Sequence, residues 1–471
     1  MSEENFSSAG RAKWIRAQMP SSGLFAGLNW RISPAPFPLG KDLAGEIESL
    51  GRVLLQFYRA VNLLYRKSVE SKQPEWVSRW LDLGKPRELI ELQRSPAFKN
   101  DVPRVIRPDI LLTENSFSIT ELDSVPGGIG LTAWLQQTYS EIGRREPKVY
   151  CTNSVVGDAG IRKSLDKMQK IPERPVLIGI RDEMVRGFES IFDGAKNIHI
   201  IISEEAATYR PEMEWLAGQI SSAKAAVRGP QFEDFAGGDA VYRFFELFDL
   251  GNVPNSKKIF EMASAKEILL TPPPKPIFEE KMLFALFWNR HLQNFWRQEL
   301  GEGFFARLKK IIPYTWLVDP APLPPQGAIP ELNLTDWQQL KSFSQREREL
   351  VLKISGFSEK AWGARGVFLG SDLSHEDWAN AVDNAISVFE KSPFVLQRFE
   401  RPKLVDADWF DFEKNELRLM KGRARLCPYY FVSGKGDAAR PQIGGVLATI
   451  VPADKKIVHG MSEAILAPCA L

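Results

Sequence analysis

The 471-residue sequence is poor in cysteine and histidine, with only three of the first and four of the second. The cysteines, Cys151, Cys427 and Cys469, lie far apart in the chain. This distribution excludes a disulfide framework and paired-cysteine metal spacing, and it favours a reducing compartment. The histidines share no close spacing either, so we do not expect a histidine-based zinc site.

An excess of one charge is also missing, because 61 Lys and Arg face 59 Asp and Glu, for a net charge of +2. No overall field therefore points to nucleic acid. No apolar run approaches the ~20 residues that a membrane-spanning helix needs. The first ten residues lack the apolar core of a signal peptide. We expect a cytoplasmic protein with no nucleic-acid partner and no membrane partner.

The composition is that of a globular protein, with 44% hydrophobic and 25% charged residues, and the length suggests about two to four domains. Apolar residues at three- and four-residue steps predict a long amphipathic helix over residues 42–69 and a second over 75–83. Residues 1–100 are therefore predicted to form an N-terminal helical region. Short apolar runs at 176–180 and 198–202 alternate with helical patterns, which predicts an α/β lobe over residues 146–272 with a parallel sheet.

Residues 105–123 carry the first candidate site. Two strand-like segments separated by a turn predict a β-hairpin. Glu121 and Asp123 are two residues apart and share a strand face, which Asp109 on the partner strand can reach. Three converging carboxylates favour Mg²⁺, and Arg107 on the same face could hold a phosphate. The alternative is an exposed hairpin with ordinary charges.

A lysine at the end of an apolar strand, followed by a glycine-containing loop, forms the second candidate. Lys353 precedes Gly356, Gly363 and Gly366, and Arg365 lies in the same loop. Glycines let backbone N–H groups approach a phosphate, while the two cations add charge. No Gly-Lys-Ser/Thr ends the loop, so it is not a Walker motif. A plain glycine-containing hairpin is the alternative.

The third candidate is the end of the apolar strand at 394–399. An adenine ring could lie against such a strand end and bond to the backbone of Gln397, Arg398 and Phe399. Taken alone, this signal is weak, and an ordinary edge strand is the favoured alternative.

Two further segments carry charge beside apolar residues. Alternation places Arg423 and Arg425 on one strand face, where they could bind a phosphate or a carboxylate being activated. The segment 241–249 is rich in aromatic residues and typical of a core, although Arg243 and Glu246 could face a substrate. Both segments also fit ordinary structural roles.

Taken together, these residues resemble circularly permuted ATP-grasp proteins of the glutathionylspermidine synthase-like kind. Arg107-x-Asp109, eleven residues and then Glu121-x-Asp123 is similar to the family's metal motif in order and spacing. Lys309-Lys-Ile-Ile-Pro313 is similar to its Lys-x-Ile-Leu-Pro segment. The metal motif precedes the nucleotide segments, which is the permuted order. Asp123 departs from the family's usual asparagine, the loop 355–366 is longer, and no cysteine–histidine amidase segment is present.

The resemblance implies an α/β fold with α+β elements, in which residues 101–145 supply the metal-binding part and 273–471 the nucleotide-binding region around the inserted lobe. It implies that Asp109, Glu121 and Asp123 hold Mg²⁺ and that Lys309 and Lys353 contact ATP. Arg107 or Arg365 would stabilise the transferring phosphoryl group, the loop 355–366 would close over ATP, and backbone at 397–399 would read the adenine.

The implied function is an Mg-ATP-dependent carboxylate–amine ligase, which joins a small-molecule acid and amine through an acyl phosphate. Two alternatives remain open at this point. One is an ATP-binding module that has lost ligase chemistry, and the other is a small-molecule kinase using the same metal and lysine set. The sequence does not name the acid or the amine.

Overall fold

The computed structural model describes residues 7–19, 30–145, 176–179, 182–321, 329–361, 365–458 and 463–471. The α-helices of these ranges are α1 (Ser8–Gln18), α2 (Lys41–Val69), α3 (Glu75–Asp82), α4 (Arg87–Arg94), α5 (Ile129–Arg145), α6 (Glu183–Ser190), α7 (Arg210–Gln219), α8 (Ser256–Ser264), α9 (Met282–Trp288), α10 (Gln293–Ile311) and α11 (His375–Ser387). Within the described ranges, no helix is both long enough and apolar enough to cross a membrane.

The strands of the described ranges are β1 (Arg31–Ile32), β2 (Phe37–Pro38), β3 (Val105–Leu112), β4 (Phe117–Asp123), β5 (Asn197–Ile202), β6 (Lys224–Arg228), β7 (Ala240–Phe244), β8 (Leu269–Thr271), β9 (Thr315–Leu317), β10 (Leu350–Ile354), β11 (Val367–Leu369), β12 (Phe394–Arg398), β13 (Leu404–Asp411), β14 (Glu416–Ser433), β15 (Arg440–Pro452) and β16 (Ile465–Ala470). They form one eight-stranded and two four-stranded sheets.

The eight-stranded sheet has the strand order β1-β16-β15-β14-β3-β4, with β13 paired to β14 and β2 paired to β16. Helix α2 packs its apolar stripe on this sheet, as the 3.6-residue periodicity of residues 42–69 predicted. The helix approaches the sheet closely at Gly51, where an added Cβ would lie 2.6 Å from Cδ1 of Tyr430. Strands β1 and β2 show that the N-terminal region also contributes to the sheet and is not only helical.

Strands β3 and β4 form the predicted hairpin. They pair antiparallel, with Arg107 opposite Asp123 and Asp109 opposite Glu121. The strand register shifts directly after Asp109, and this shift is a β-bulge. Cross-strand partners lie within side-chain reach, so the hairpin brings one basic and three acidic groups to one sheet face.

The second sheet has the order β11-β10-β12-β9 and is antiparallel throughout. One of its faces packs on α11, where Trp378 is fully buried together with Leu352 and Leu396. Because side chains alternate along a strand, Lys353 and Gln397 point to the opposite face. That face meets the β3–β4 hairpin.

The third sheet is the predicted parallel α/β lobe, with strand order β6-β5-β7-β8. One expectation for it is wrong: of the apolar run 176–180, the described residues 176–179 do not form one of its strands. Val176 is exposed, and Leu177 makes an isolated antiparallel bridge to Ala470 of the eight-stranded sheet. Gly179 has φ +81°, which interrupts extended structure, and Ile180 lies outside the described residues. A short apolar run does not by itself specify which sheet it joins.

Candidate functional site

A cavity of about 550 Å³ lies between the three sheets. Residues from each sheet line it, including Asp109 from the eight-stranded sheet, Lys353 from the second sheet and Phe244 from the lobe. Most of the predicted site residues are brought together in its wall, although they come from distant parts of the sequence. These are Arg107, Asp109, Glu121, Asp123, Lys353, Gly356, Gln397, Arg398 and Phe399.

Two predicted cations do not line this cavity. The ammonium of Lys309 lies 3.7 Å from the ring centroid of Trp288, and burial lowers its pKa to about 8. The guanidinium of Arg365 is exposed and forms an ion pair of 3.0 Å with Glu205 of the lobe. Arg365 thereby links the loop after β10 to the lobe. The roles given to both cations remain predictions.

The loop contains two other predicted glycines, Gly363 and Gly366. Gly366 is buried, and an added Cβ would lie 2.6 Å from the carbonyl oxygen of Lys360. The loop therefore folds back tightly on itself at this point. Gly363 lies outside the described residues.

Asp109 occupies the centre of the charged wall. Its carboxylate contacts Arg107 at 3.2 Å and Arg425 at 2.9 Å, and it accepts a hydrogen bond of 3.5 Å from the thiol of Cys427. Burial acts to raise the pKa of Asp109, but the two guanidinium groups outweigh it and hold the pKa below its usual value. Burial raises the pKa of Cys427 to about 11, and the charge of the same carboxylate adds to this shift. The thiol is therefore neutral.

The other two carboxylates of the hairpin also have protein cations as partners. Asp123 lies 2.8 Å from the guanidinium of Arg107, and Glu121 lies 3.0 Å from the ammonium of Lys281. Burial and the nearby charge of Glu121 raise the pKa of Asp123, although Arg107 opposes the shift. Lys281 was not predicted as a site residue, and it also donates to the carbonyl of Ala361 at 2.9 Å.

Lys353 lies on the opposite wall, where no carboxylate of the described residues forms an ion pair with it. Its ammonium donates to the side-chain oxygen of Gln397 at 2.9 Å and to the carbonyl of Thr120 at 3.3 Å. Burial lowers the pKa of Lys353 to about 8, partly against the attraction of Glu121. Gln397 is in turn held by a bond of 3.1 Å to Thr315. The side chain of Gln397 thus positions Lys353.

The backbone of the predicted adenine segment is partly used by the sheet. The amide of Arg398 donates to the carbonyl of Tyr314 at 2.9 Å, and the amide of Phe399 donates to that of Glu349 at 3.1 Å. Neither of these two amides is free to donate to a base. Both residues still line the cavity.

A buried ion pair anchors the loop that starts at Ser355. The ammonium of Lys85 lies 2.6 Å from the carboxylate of Glu280, and both side chains are almost fully buried. Ser355 donates to the same carboxylate, and its own hydroxyl accepts from the amide of Met282 at 2.8 Å. An added Cβ at Gly356 would lie 2.5 Å from the carbonyl oxygen of Glu279. The N-terminal region therefore fixes the start of the loop.

The loop after β4 is held by the lobe. Glu212 of α7 accepts from the amides of Gly128 at 2.7 Å and Leu131 at 3.1 Å, at the start of α5. Burial raises the pKa of Glu212 to about 7. An added Cβ at Gly127 would lie 2.2 Å from the ring of Tyr209, so only glycine fits there.

The lobe and the segment directly after it supply an acidic part of the wall. Glu279 accepts from Arg243 at 2.6 Å and from the amide of Leu247 at 2.9 Å. Glu246 lies beside Glu279, and burial together with the charges of Glu279 and Asp123 raises the pKa of Glu246 well above its usual value. Arg243 and Glu246 had a weak signal in the sequence, as charged residues in an aromatic segment, whereas Glu279 and Lys281 had none.

Within the described part of the chain, no three His, Cys, Asp or Glu side chains form a ready metal cluster. The three predicted metal ligands instead contact cations of the protein. Mg²⁺, however, commonly takes only one or two carboxylates and completes its shell with water and phosphate. Glu121 and Asp123 meet that smaller requirement, because both line the cavity and are partly exposed to it.

Comparison with known proteins identifies the class of fold. No protein-family profile matches the chain, and no curated protein matches it significantly. A glutathione synthetase-like effector from Globodera pallida, solved in the apo form, is similar in structure with a TM-score of 0.53 at 10% identity, over 98% of this chain and 96% of that one. The chain therefore shares its fold with this glutathione synthetase-like protein. The assignment to the ATP-grasp type stays a prediction. Circular permutation remains a prediction.

A second solved structure overlaps less well. A protein described as a gamma-glutamylcysteine synthetase from Methylobacillus flagellatus gives a TM-score of 0.37 at 11% identity, over 93% of this chain and 89% of that one. This score does not define a shared fold.

Proposed function

We propose that the protein is an ATP-dependent ligase that joins a small-molecule carboxylate to an amine through an acyl phosphate. The observation that carries the proposal is the meeting of Lys353 with Arg107, Asp109, Glu121 and Asp123 in one cavity. Such groups bind phosphate and a divalent cation, and here they come from two opposed sheets. The glutathione synthetase-like fold supports the same interpretation.

ATP and Mg²⁺ fit the residues of the cavity. The ammonium of Lys353, which has no carboxylate partner among the described residues, would bind phosphate. The base would lie against the strand end where Arg398 and Phe399 line the cavity, without bonds from their two amides, which already donate within the sheet. Glu121 and Asp123 would hold Mg²⁺, with Asp109 as the third predicted ligand. When bound, ATP and Mg²⁺ would supply an activated phosphoryl group and offset its negative charge.

The chemistry follows from the positions of the protein groups. The substrate carboxylate oxygen attacks the terminal phosphorus, and the bond to the bridging oxygen breaks as ADP leaves. Lys353 and Arg107 lower the charge on the transferring group. The amine then attacks the acyl carbon, the carbon–oxygen bond to phosphate breaks, and inorganic phosphate leaves. The protein mainly orients the reactants and keeps water out.

Arg365 is proposed to act through the loop that carries it. Its ion pair with Glu205 joins the loop after β10 to the lobe. Closure of that loop over bound ATP would bring the guanidinium nearer to the phosphates and limit hydrolysis.

One observation favours a second candidate, a nucleotide-binding module without ligase chemistry. Lys309, expected to contact the nucleotide, is stacked on Trp288 and does not line the cavity. A site that has lost one phosphate contact would still bind ATP through Lys353. A measurement of ATP turnover distinguishes this module from the ligase.

The test is nucleotide turnover with purified protein. Mg·ATP is incubated with a pool of small carboxylic acids and amines, and ADP and free phosphate are both measured. We expect ADP and phosphate to be released together, because a ligase frees the phosphate when the amide forms. ATP binding without ADP release would contradict the ligase. ADP with a stable phosphorylated product and no free phosphate would indicate a kinase.

A further inference from the structure

Three consecutive charged residues, Glu279-Glu280-Lys281, follow the lobe, and each side chain contacts a different part of the protein. Glu279 pairs with Arg243 of the lobe at 2.6 Å, and Glu280 pairs with Lys85 of the N-terminal region at 2.6 Å. Both of these ion pairs are almost fully buried. The third side chain, that of Lys281, points to the β3–β4 hairpin and lines the cavity.

The backbone at Lys281 is fixed by the start of the loop after β10. The amide of Lys281 donates to the carbonyl of Ser355 at 2.8 Å, and the amide of Met282 donates to the hydroxyl of Ser355 at 2.8 Å. From this fixed point, a flexible four-carbon stem carries the ammonium group. The ammonium can therefore change partners while the backbone keeps its place.

The ammonium of Lys281 has two partners of different kinds. It lies 3.0 Å from the carboxylate of Glu121, and it donates to the carbonyl of Ala361 at 2.9 Å. Among the described residues, Glu121 forms no other ion pair. The side chain of Glu121 is 35% exposed, against 12% for Lys281, so a ligand in the cavity can reach the carboxylate. If the carboxylate were taken, the Ala361 carbonyl would remain as an acceptor for the ammonium.

Lys281 and a divalent cation need the same oxygen atoms of Glu121. Burial acts to lower the pKa of Lys281, but the charge of Glu121 and its hydrogen bond outweigh burial and raise the pKa. The ammonium is therefore charged. A cation so close to a carboxylate offsets its charge and repels a second cation.

The other proposed metal ligand of the wall, Asp123, is paired with a cation that is held more firmly. Arg107 lies 2.8 Å from Asp123 and 3.2 Å from Asp109, and it donates to the carbonyl of Gly127 at 3.2 Å. Three contacts fix this planar guanidinium, whereas one carboxylate and one carbonyl hold Lys281. Lys281 is therefore the cation that can leave its carboxylate.

We propose that Lys281 is a positioning residue that competes with the divalent cation for Glu121, so that the metal ion binds well only together with the nucleotide. The inference rests on the proposed function, because that function places Mg²⁺ at Glu121. Phosphate oxygens complete the shell of Mg²⁺ and also accept hydrogen bonds from an ammonium. A nucleotide would thus provide both further metal ligands and a new partner for the displaced Lys281.

The test is binding of Mn²⁺ alone, measured on the full chain as the loss of the free Mn²⁺ signal in electron paramagnetic resonance. Mn²⁺ takes the same oxygen ligands as Mg²⁺. Lys281→Met removes the competing charge, so we expect Mn²⁺ to bind at least about fivefold more tightly than to the unaltered protein. Lys281→Gln is a second neutral variant, which still donates a hydrogen bond, and it should show a gain in the same direction. Structural damage would weaken metal binding and would not strengthen it.

Two further variants assign the effect. Glu121→Gln in the Lys281→Met background should remove the gain, because the carboxylate is what the two cations compete for. Lys456→Met is the matched control, since Lys456 lines the same cavity but pairs with the exposed Asp372. Its Mn²⁺ affinity should stay within about twofold of the unaltered protein, because a surface ion pair of this kind contributes little.

Equal or weaker Mn²⁺ binding by both neutral variants would overturn the role of Lys281, as would a gain that survives in the double variant. Binding of a non-hydrolysable ATP analogue is measured separately. An unaltered protein that binds the analogue with Mn²⁺, together with neutral variants that show no gain, overturns the role of Lys281 alone. A gain in both neutral variants, with no binding of the analogue by any of the proteins, supports the competition at Glu121 and overturns the proposed function alone.

Discussion

A guanidinium nitrogen of Arg425 lies 2.9 Å from a carboxylate oxygen of Asp109, across 316 positions of sequence. This contact joins β14 to the β3–β4 hairpin within the charged wall of the cavity. Asp109 is 7% exposed and depends on two guanidinium groups for its ionised form. The pair is therefore part of both the stability of the sheet and the electrostatics of the site.

Removing one partner of this pair should destabilise the protein. Arg425→Met leaves Asp109 with Arg107 alone, and we expect the unfolding free energy to fall by about 2–4 kcal/mol, because breaking a buried pair strands a charge. The measurement is urea unfolding followed by circular dichroism. The double variant with Asp109→Asn should recover most of the loss, since neither charge remains. Equal destabilisation of the single and double variants would show that the pair is not what Arg425 contributes.

The hairpin was predictable because its signal is local. Period-two alternation around a turn gives both strands, and the two-residue spacing of Glu121 and Asp123 fixes their common face. The periodicity of α2 is equally local. The second sheet was harder to predict from the sequence. The position of a lysine at the end of an apolar strand nevertheless identified Lys353 as a candidate site residue.

The sequence does not indicate which charged residues form ion pairs with each other in the folded chain. Lys281 and Glu279 lie on either side of the buried Glu280 and carry no motif, so only the folded chain brings them to Glu121 and Arg243. Lys309 fitted a family segment, yet nearby Trp288 provides a ring that holds its ammonium away from the cavity. These outcomes depend on tertiary packing, which spacing along the chain does not encode.

The proposed metal site predicts that Glu121 couples ATP binding to Mg²⁺. For the unaltered protein we expect ATP affinity to be at least tenfold higher with Mg²⁺ than with a chelator. Glu121→Ala should abolish this difference, because one of the two partly exposed carboxylates is gone. Glu114→Ala, on the exposed turn of the same hairpin, is the control and should retain it. A Mg²⁺ effect that persists in Glu121→Ala would exclude Glu121 as a ligand.

We predict that Lys353 takes up a proton when the nucleotide binds. Its pKa is about 8 because it is buried, with Glu121 and Asp109 attracting its charge and Lys281 opposing it. A bound phosphate would raise this pKa, so above pH 8 the neutral amine must take up a proton when ATP binds. We expect close to one proton per nucleotide at pH 9 and little uptake at pH 7. Calorimetry in two buffers of different ionisation enthalpy measures this number.

Lys353→Arg is the matched variant for that measurement, because arginine keeps its charge throughout the range. Its binding should show no proton uptake near pH 9, even if its affinity is lower. Uptake that survives in Lys353→Arg would assign the proton to another group and contradict the role given to Lys353.

We predict that Glu212 makes the unfolding free energy of the protein depend on pH. Burial raises its pKa from 4.5 to about 7 in the folded chain, although the amides of Gly128 and Leu131 and the charge of Arg107 favour the ionised form. A raised carboxyl pKa gives stability that is complete below the unfolded value and is lost as the pH rises through the folded value. We therefore expect this group to lower the unfolding free energy between about pH 4.5 and pH 7, by on the order of 3 kcal/mol. Glu212→Gln still accepts from one amide but cannot ionise, so the difference in unfolding free energy between it and the unaltered protein should vary over this pH range. Parallel pH profiles for the two proteins, measured by urea unfolding, would show that Glu212 keeps an ordinary pKa in the folded chain.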